Sequence, residues 1–170
     1  LCVFFFQAED GIRDFCLSRG LGDVYKRRCD YRTFSVGRST PAQHDAYAKA
    51  REWMDAAIDK VADGVGTDEV AKLWPKATDI GFANEMDAFG LQFGHGLGLG
   101  LHERPIISRL NSLSHPVEIK AGMVFALETY CPSPDGISAA RIEEEVVITN
   151  NGAQVITKFP AEKLFITNPY

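Results

Sequence analysis

Residues 94 to 105 read Gly-His-Gly-Leu-Gly-Leu-Gly-Leu-His-Glu-Arg-Pro, with glycine at every second position as far as Gly100. Glycine this dense rules out a stable helix, because each one costs about 1 kcal/mol relative to alanine in a helix interior. His95 and His102 stand seven residues apart, and on a straight strand they face opposite ways. They converge only across a bend, which glycine backbones permit. Two readings follow. Either the glycines let the chain pass close to an ion or ligand held between two imidazoles, or they form a strained turn with two incidental histidines.

The surrounding sequence supplies one clear helix. Thr40 can cap it, Pro41 suits its first turn, and Gln43 completes a capping box. Tyr47, Ala50, Met54, Ala57, Ile58 and Val61 then recur at three and four to make one apolar stripe, and Asp63-Gly64-Val65-Gly66 ends it. A second helix is expected from Thr67, with Asp68 and Glu69 in its first turn and Pro75 interrupting or ending it. From residue 116 the chain turns β-rich, and Asn151-Gly152 predicts a tight hairpin. Helices followed by a meander of strands imply an α+β domain with a mostly antiparallel sheet.

With 170 residues, 45% of them hydrophobic, the chain can bury a core of its own. Its net charge of −5, with no basic cluster beyond Lys26-Arg27-Arg28, argues against nucleic acid or an anionic membrane as partner. The longest apolar run near the start, Val3-Phe4-Phe5-Phe6, is far too short to span a bilayer, and no signal-peptide features accompany it. Cys2, Cys16, Cys29 and Cys131 show no paired spacing, so disulfides and zinc knuckles are not expected and a reducing cytoplasm is the default. Residues 1–27 keep no helical or strand period and resemble, almost letter for letter, the translation of sequencing-library adapter DNA. Residues 1–28 are therefore set aside as a non-native segment, and residues 29–170 are read as the domain; the remainder stays acidic.

The glycine run does not fit a dinucleotide fingerprint, since the sixth position from Gly94 or Gly96 is leucine, and no phosphate loop ending in Gly-Lys-Ser/Thr is present. Carboxylates offer another partner for the histidines. Alternation in a strand around residues 121–131 puts Glu128 with Val124 and Ala126 on one side, and a buried carboxylate there needs a counter-charge. Glu143, Glu144 and Glu145 raise the same problem, with Glu143 and Glu145 on one face and Glu144 on the other. One reading is an edge strand with a solvated acidic face. The other pairs strands 121–131 and 138–149 across Pro132–Ser138, so that Glu128 and Glu143 meet beside His95. One imidazole with several carboxylates is a hard, oxygen-rich site, better suited to manganese or a similar divalent ion than to structural zinc.

The run from Gly94 to Pro105, then Ala121–Glu128, then Ala140–Thr149 resembles the pita-bread metallopeptidases: aminopeptidase P, prolidase, methionine aminopeptidase and creatinase. The likeness is greatest to the Xaa-Pro peptidase branch and covers residue 29 to about 160. It implies a truncated pita-bread fold, α+β, with a curved, mostly antiparallel sheet and flanking helices. It implies that His95 is a metal ligand, that His102 contacts substrate, and that Glu128 binds metal and shuttles a proton. Glu143 then bridges two divalent ions, manganese first with cobalt or zinc as alternatives, and Arg141 supports the site. The family's second aspartate, in a pattern of Asp, two residues, Arg-Thr-Phe, is assigned to Asp30, although Asp30-Tyr31-Arg32-Thr33-Phe34 is one residue shorter. The first aspartate falls eleven positions earlier, where Arg19 stands; Asp23 nearby is given no role. An upstream histidine and the branch's N-terminal domain have no counterpart, and Thr129 stands where the peptidases often have proline. The expected substrate is a small peptide with proline after the scissile bond, and the parent protein is expected to be a cytoplasmic homodimer. Without the first aspartate the second ion should bind weakly or not at all, so this chain itself should show little or no peptidase activity. The alternatives are a same-fold enzyme that cleaves a carbon–nitrogen or carbon–sulfur bond in a small zwitterion, and a metal-free binding module.

Overall fold

The computed structural model describes residues 30–88 and 93–168. The segment read as adapter-derived, with Cys2, Cys16, Arg19 and Asp23, lies outside the described residues, as does Cys29. Strand β1 (Phe34–Val36) leads into helix α1 (Pro41–Lys60), short helix α2 (Thr67–Ala71) and a 3-10 turn at Ala77–Ile80. Strands β2 (Gly94–Gly96) and β3 (Glu103–Ile107) follow, then the one-turn helix α3 (Arg109–Ser112). The remainder comprises β4 (Val124–Pro132), β5 (Ala139–Thr149), β6 (Gly152–Val155) and β7 (Phe165–Thr167).

Helix α1 forms as its sequence predicts. The Thr40 hydroxyl accepts from the Gln43 amide, and the Gln43 side chain accepts from the Thr40 amide. Ala46, Tyr47, Ala50, Met54 and Ala57 are buried, Val61 caps the end, and Ile58 is half-buried at the margin of the stripe. Helix α2 begins at Thr67 and stops at Ala71, four residues before Pro75, which can neither donate to the Ala71 carbonyl nor avoid its oxygen. Beyond the helix end Trp74 stacks on Phe93, with ring centroids 4.7 Å apart and planes 13° apart.

The main sheet has the order β3-β2-β4-β5-β6, antiparallel at every pairing. A second, two-stranded sheet pairs β1 with β7 in parallel. The meander is mostly antiparallel as expected, but the last hairpin differs in detail: Thr149 pairs with Gly152, so Asn150 and Asn151 make the turn. Gly152 follows at φ +106°, a left-handed conformation that favours glycine.

The two faces of the sheet differ in character. Phe125 and Leu127 of β4 and Ile142, Val146 and Ile148 of β5 join Ala50 and Met54 of α1 in one buried cluster. Fully burying each large apolar side chain contributes about 1.5–3 kcal/mol, which makes this face the anchor of the domain. The opposite face, by alternation, presents Ala126, Glu128 and Tyr130 of β4 beside Arg141, Glu143 and Glu145 of β5.

Candidate metal centre

The β4–β5 register places Glu128 directly opposite Glu143 and Ala126 opposite Glu145. Strand β2 lies on the other side of β4, with His95 opposite Ala126. Directly paired residues share a face, so His95, Glu128 and Glu143 all project to the side away from α1. One ligand atom from each lies within 4.8 Å of the others, and all three residues are buried. Strand β5 is therefore no edge: it runs between β4 and β6, Glu143 is fully buried and Glu144 is 5% exposed. That overturns the solvated acidic face. Glu145 is half-buried.

The glycines around His95 have steric reasons. A Cβ on Gly94 would sit 2.8 Å from the Ala126 carbonyl oxygen and 3.2 Å from Leu127 Cδ2. One on Gly96 would lie 2.6 Å from the Arg104 carbonyl oxygen. Only glycine lets β2 press this closely against both neighbours, and the pairing with β3 slips between His95 and Gly96. The chain then bends, and His102 returns with its ring centroid 4.2 Å from that of His95, the planes at 46°. His102 is exposed where His95 is fully buried.

The tautomer of His95 follows from its partner. Its Nδ1 lies 3.0 Å from the Gly96 carbonyl oxygen, which can only accept, so Nδ1 carries the proton and Nε2 presents a lone pair. Burial lowers the His95 pKa against the opposing pull of the Gly96 carbonyl and Glu128, which keeps the ring neutral. The Nε2 atom is buried without a hydrogen-bond partner, 3.5 Å from Glu128 Oε1. A lone pair turned toward a carboxylate in a water-poor pocket is repulsive unless a cation lies between them. Two carboxylates and a neutral imidazole, with the second ring nitrogen tied to a carbonyl, match the donors and outer support that divalent ions take.

Around this core, Arg141 donates through Nη2 to Glu128 Oε2, and its guanidinium lies 4.3 Å from the centroid of the Tyr31 ring. Glu128 is thus held by one oxygen, with Oε1 left facing His95. The Glu143 amide donates to the Tyr31 carbonyl, and the Thr33 hydroxyl bridges the amide and carbonyl of Arg141, so residues 31–33 run alongside β5.

Asp30 is not among the clustered ligands. It forms an ion pair with Arg32 at 2.6 Å, and Arg32 reaches Glu144 at 3.0 Å on the helix-facing side of the sheet. Burial pushes the Asp30 carboxyl up to about 6 against the lowering pull of Arg32, and Glu144 and Glu145 add to the rise. Side chains of an extended segment alternate, which puts Asp30 with Arg32 on one side and Tyr31 beside Arg141 on the other.

Two arginines that brace the acidic strand have no clear signal in the sequence. Arg32 and Arg51 both grip the buried Glu144, from 112 and 93 residues away. Arg32 also donates to the carbonyl of Glu143 itself. The adjacency of Arg32 to the aspartate motif was the one available hint; Arg51 is an unremarkable helical arginine in the sequence.

An open antiparallel sheet backed by one long helix, with an imidazole and two carboxylates converging on its far face, is a pita-bread domain whose cluster could hold a metal ion. The profile of "Metallopeptidase family M24" matches residues 29–150. An uncharacterized peptidase of Staphylococcus haemolyticus is 31% identical over 153 residues, covering 87% of this chain and 41% of its own. The Xaa-Pro dipeptidase of Pyrococcus furiosus is 32% identical over 136 residues, covering 78% and 36% respectively. Among solved structures, the Xaa-Pro dipeptidase from Bacillus anthracis superposes with a TM-score of 0.64 at 26% identity, over 81% of this chain and 36% of that one. Dipeptidase PepE from Mycobacterium ulcerans gives 0.62 at 32% identity, over 81% and 35%. This chain belongs to metallopeptidase family M24. It spans about two-fifths of the length of the curated relatives it matches. No helix among the described residues is long and apolar enough to cross a membrane.

Proposed function

We propose that His95, Glu128 and Glu143 hold a divalent cation and that this site serves the hydrolysis of small peptides with proline after the scissile bond. The observation that carries the reading is the buried Nε2 of His95, without a hydrogen-bond partner and aimed at the Glu128 carboxylate. Carboxylate-rich donors with a single imidazole favour manganese, with cobalt or zinc as alternatives. The proline preference rests on the Xaa-Pro dipeptidases among the relatives.

When bound, divalent ions bring the pKa of water toward neutrality and polarise a peptide carbonyl. The chain's own residues divide the remaining work. Arg141 fixes Glu128 through Oε2 and leaves Oε1 facing His95 and the cation it would help to hold, and in this reading the Glu128 carboxylate relays a proton to the leaving nitrogen. His102, exposed beside the buried His95, is placed to donate to the substrate carbonyl oxygen as charge develops on it. The apolar core behind β4 and β5 holds the two glutamate backbones in register.

The test is metal binding by isothermal titration and elemental analysis. The chain is expected to retain manganese through dialysis, and His95→Ala or Glu143→Gln to weaken it more than about a hundredfold, beyond the range for outer-sphere partners. No retained manganese, cobalt or zinc overturns the cation site. For the reaction, the parent protein is assayed on Xaa-Pro dipeptides, with creatine as a competing substrate; no turnover of any proline peptide overturns the peptidase assignment.

A further inference from the structure

Gly94 and Gly96 are explained by the packing of β2, but Gly98 and Gly100 are not. The space beside both is held by one side chain, Glu103. A Cβ on Gly98 would lie 2.5 Å from Glu103 Oε2 and 3.1 Å from its Cδ; a Cβ on Gly100 would lie 3.3 Å from its Cγ. The Gly100 amide donates to Glu103 Oε1. Glu103 opens β3, where its backbone is registered against Gly96. Its backbone is thus anchored in the sheet while its carboxylate reaches back three residues to pin the loop.

We propose that Glu103 is a positioning residue for His102. His102 sits between two fixed points, the sheet-anchored Glu103 and the amide-pinned Gly100. The loop's other backbone bonds run from the Leu97 amide to the Val124 carbonyl at 2.9 Å and from the Gly98 amide to the Gly100 carbonyl at 3.4 Å; Leu99 at its tip is 83% exposed, and glycine at 98 and 100 widens the range of backbone conformations it would otherwise sample. A carboxylate accepting a backbone N–H is among the stronger hydrogen bonds a chain can make, and this one closes the bend that brings the His102 ring to 4.2 Å from His95. A side chain at 98 would push the carboxylate from this position, and one at 100 would crowd its stem, so glycine at both leaves Glu103 the space it occupies. The catalytic meaning of this placement rests on the reading of His102 as the substrate-facing imidazole; the placement itself does not.

The experiment uses the whole chain with isotope-labelled histidine and no substrate, reading His102 ring shifts and the exchange rate of the Gly100 amide. In Glu103→Ala the Gly100 amide is expected to exchange at least about tenfold faster, in keeping with the loss of a hydrogen bond to a charged group. The His102 ring shifts should move toward those of a free imidazole, with manganese affinity unchanged within about twofold. Glu103→Gln keeps an acceptor oxygen and should retain both wild-type signatures. Gly98→Ala should reproduce the Glu103→Ala signatures by displacing the carboxylate, and the double variant should be no worse than either single one. Wild-type ring shifts and exchange in Glu103→Ala, or failure of Glu103→Gln to retain them, overturn the proposal. An absence of Xaa-Pro turnover bears on the reaction alone, since neither readout involves substrate.

Discussion

Replacing Glu144 with alanine tests how the sheet carries acids on both faces. The Glu144 carboxylate accepts from Arg32 at 3.0 Å and from Arg51 at 3.1 Å, and its side chain is 6% exposed. Removing one member of a buried ion pair costs about 3–5 kcal/mol, because the partner charge stays buried. Arg32, 5% exposed, is the charge at risk. It keeps carbonyl partners at Tyr31, Phe159 and Pro160 and its ion pair with Asp30. Arg51 is more exposed and keeps Asp55. The residual partners put the expected loss at the lower end, about 3 kcal/mol. For a domain of this size that lowers Tm by about 6–12 °C. The assay is urea and thermal unfolding of Glu144→Ala, with Arg32→Met/Glu144→Leu as control, which leaves no buried charge at Arg32 and should lose less than the single variant. A loss below about 1 kcal/mol with an unchanged m-value would show that the cluster is not the buried, mutually dependent unit described here.

Two further outcomes can be checked with the same unfolding assay. Gly96→Ala sets a Cβ 2.6 Å from the Arg104 carbonyl oxygen and 3.0 Å from its carbon, both backbone atoms that cannot rotate away. It should destabilise by about 1–3 kcal/mol and weaken manganese binding by shifting His95, whereas a loss within about 0.5 kcal/mol would mean that β2 has slack. Tyr47 is buried, its hydroxyl donating to the Ala161 carbonyl at 3.0 Å, and burial pushes its phenol up to about 12 despite the nearby Arg32 and Arg51. A folded pKa raised above the unfolded one favours the neutral form. The stabilisation is thus complete below pH about 10 and lost as pH rises through about 12, a fall of about 2–3 kcal/mol. Tyr47→Phe should show a flatter alkaline limb; parallel limbs in the two proteins would contradict this.

What could be read from the sequence was what local free energy decides. Thr40, Pro41 and Gln43 specify the start of α1 within one turn, and the three-and-four spacing of Tyr47, Ala50, Met54 and Ala57 specifies its buried side. Alternation alone puts Glu143 and Glu144 on opposite faces, and the short Pro132–Ser138 connection makes β4 and β5 neighbours. The residue types of the candidate metal cluster were visible too, and pairing across Pro132–Ser138 offered its convergence as one of two readings, the one that family likeness also implied. Tertiary structure decided the rest, because the deciding contacts join residues whose separation leaves no periodic trace. Trp74 stacks on Phe93, Arg32 and Arg51 neutralise Glu144 from across the fold, and Asp30 pairs with Arg32 and stands outside the His95 cluster. A helix cap or a strand face is settled by neighbours along the chain. The fate of a buried charge is settled by whichever opposite charge the whole fold delivers, and that depends on every turn between them.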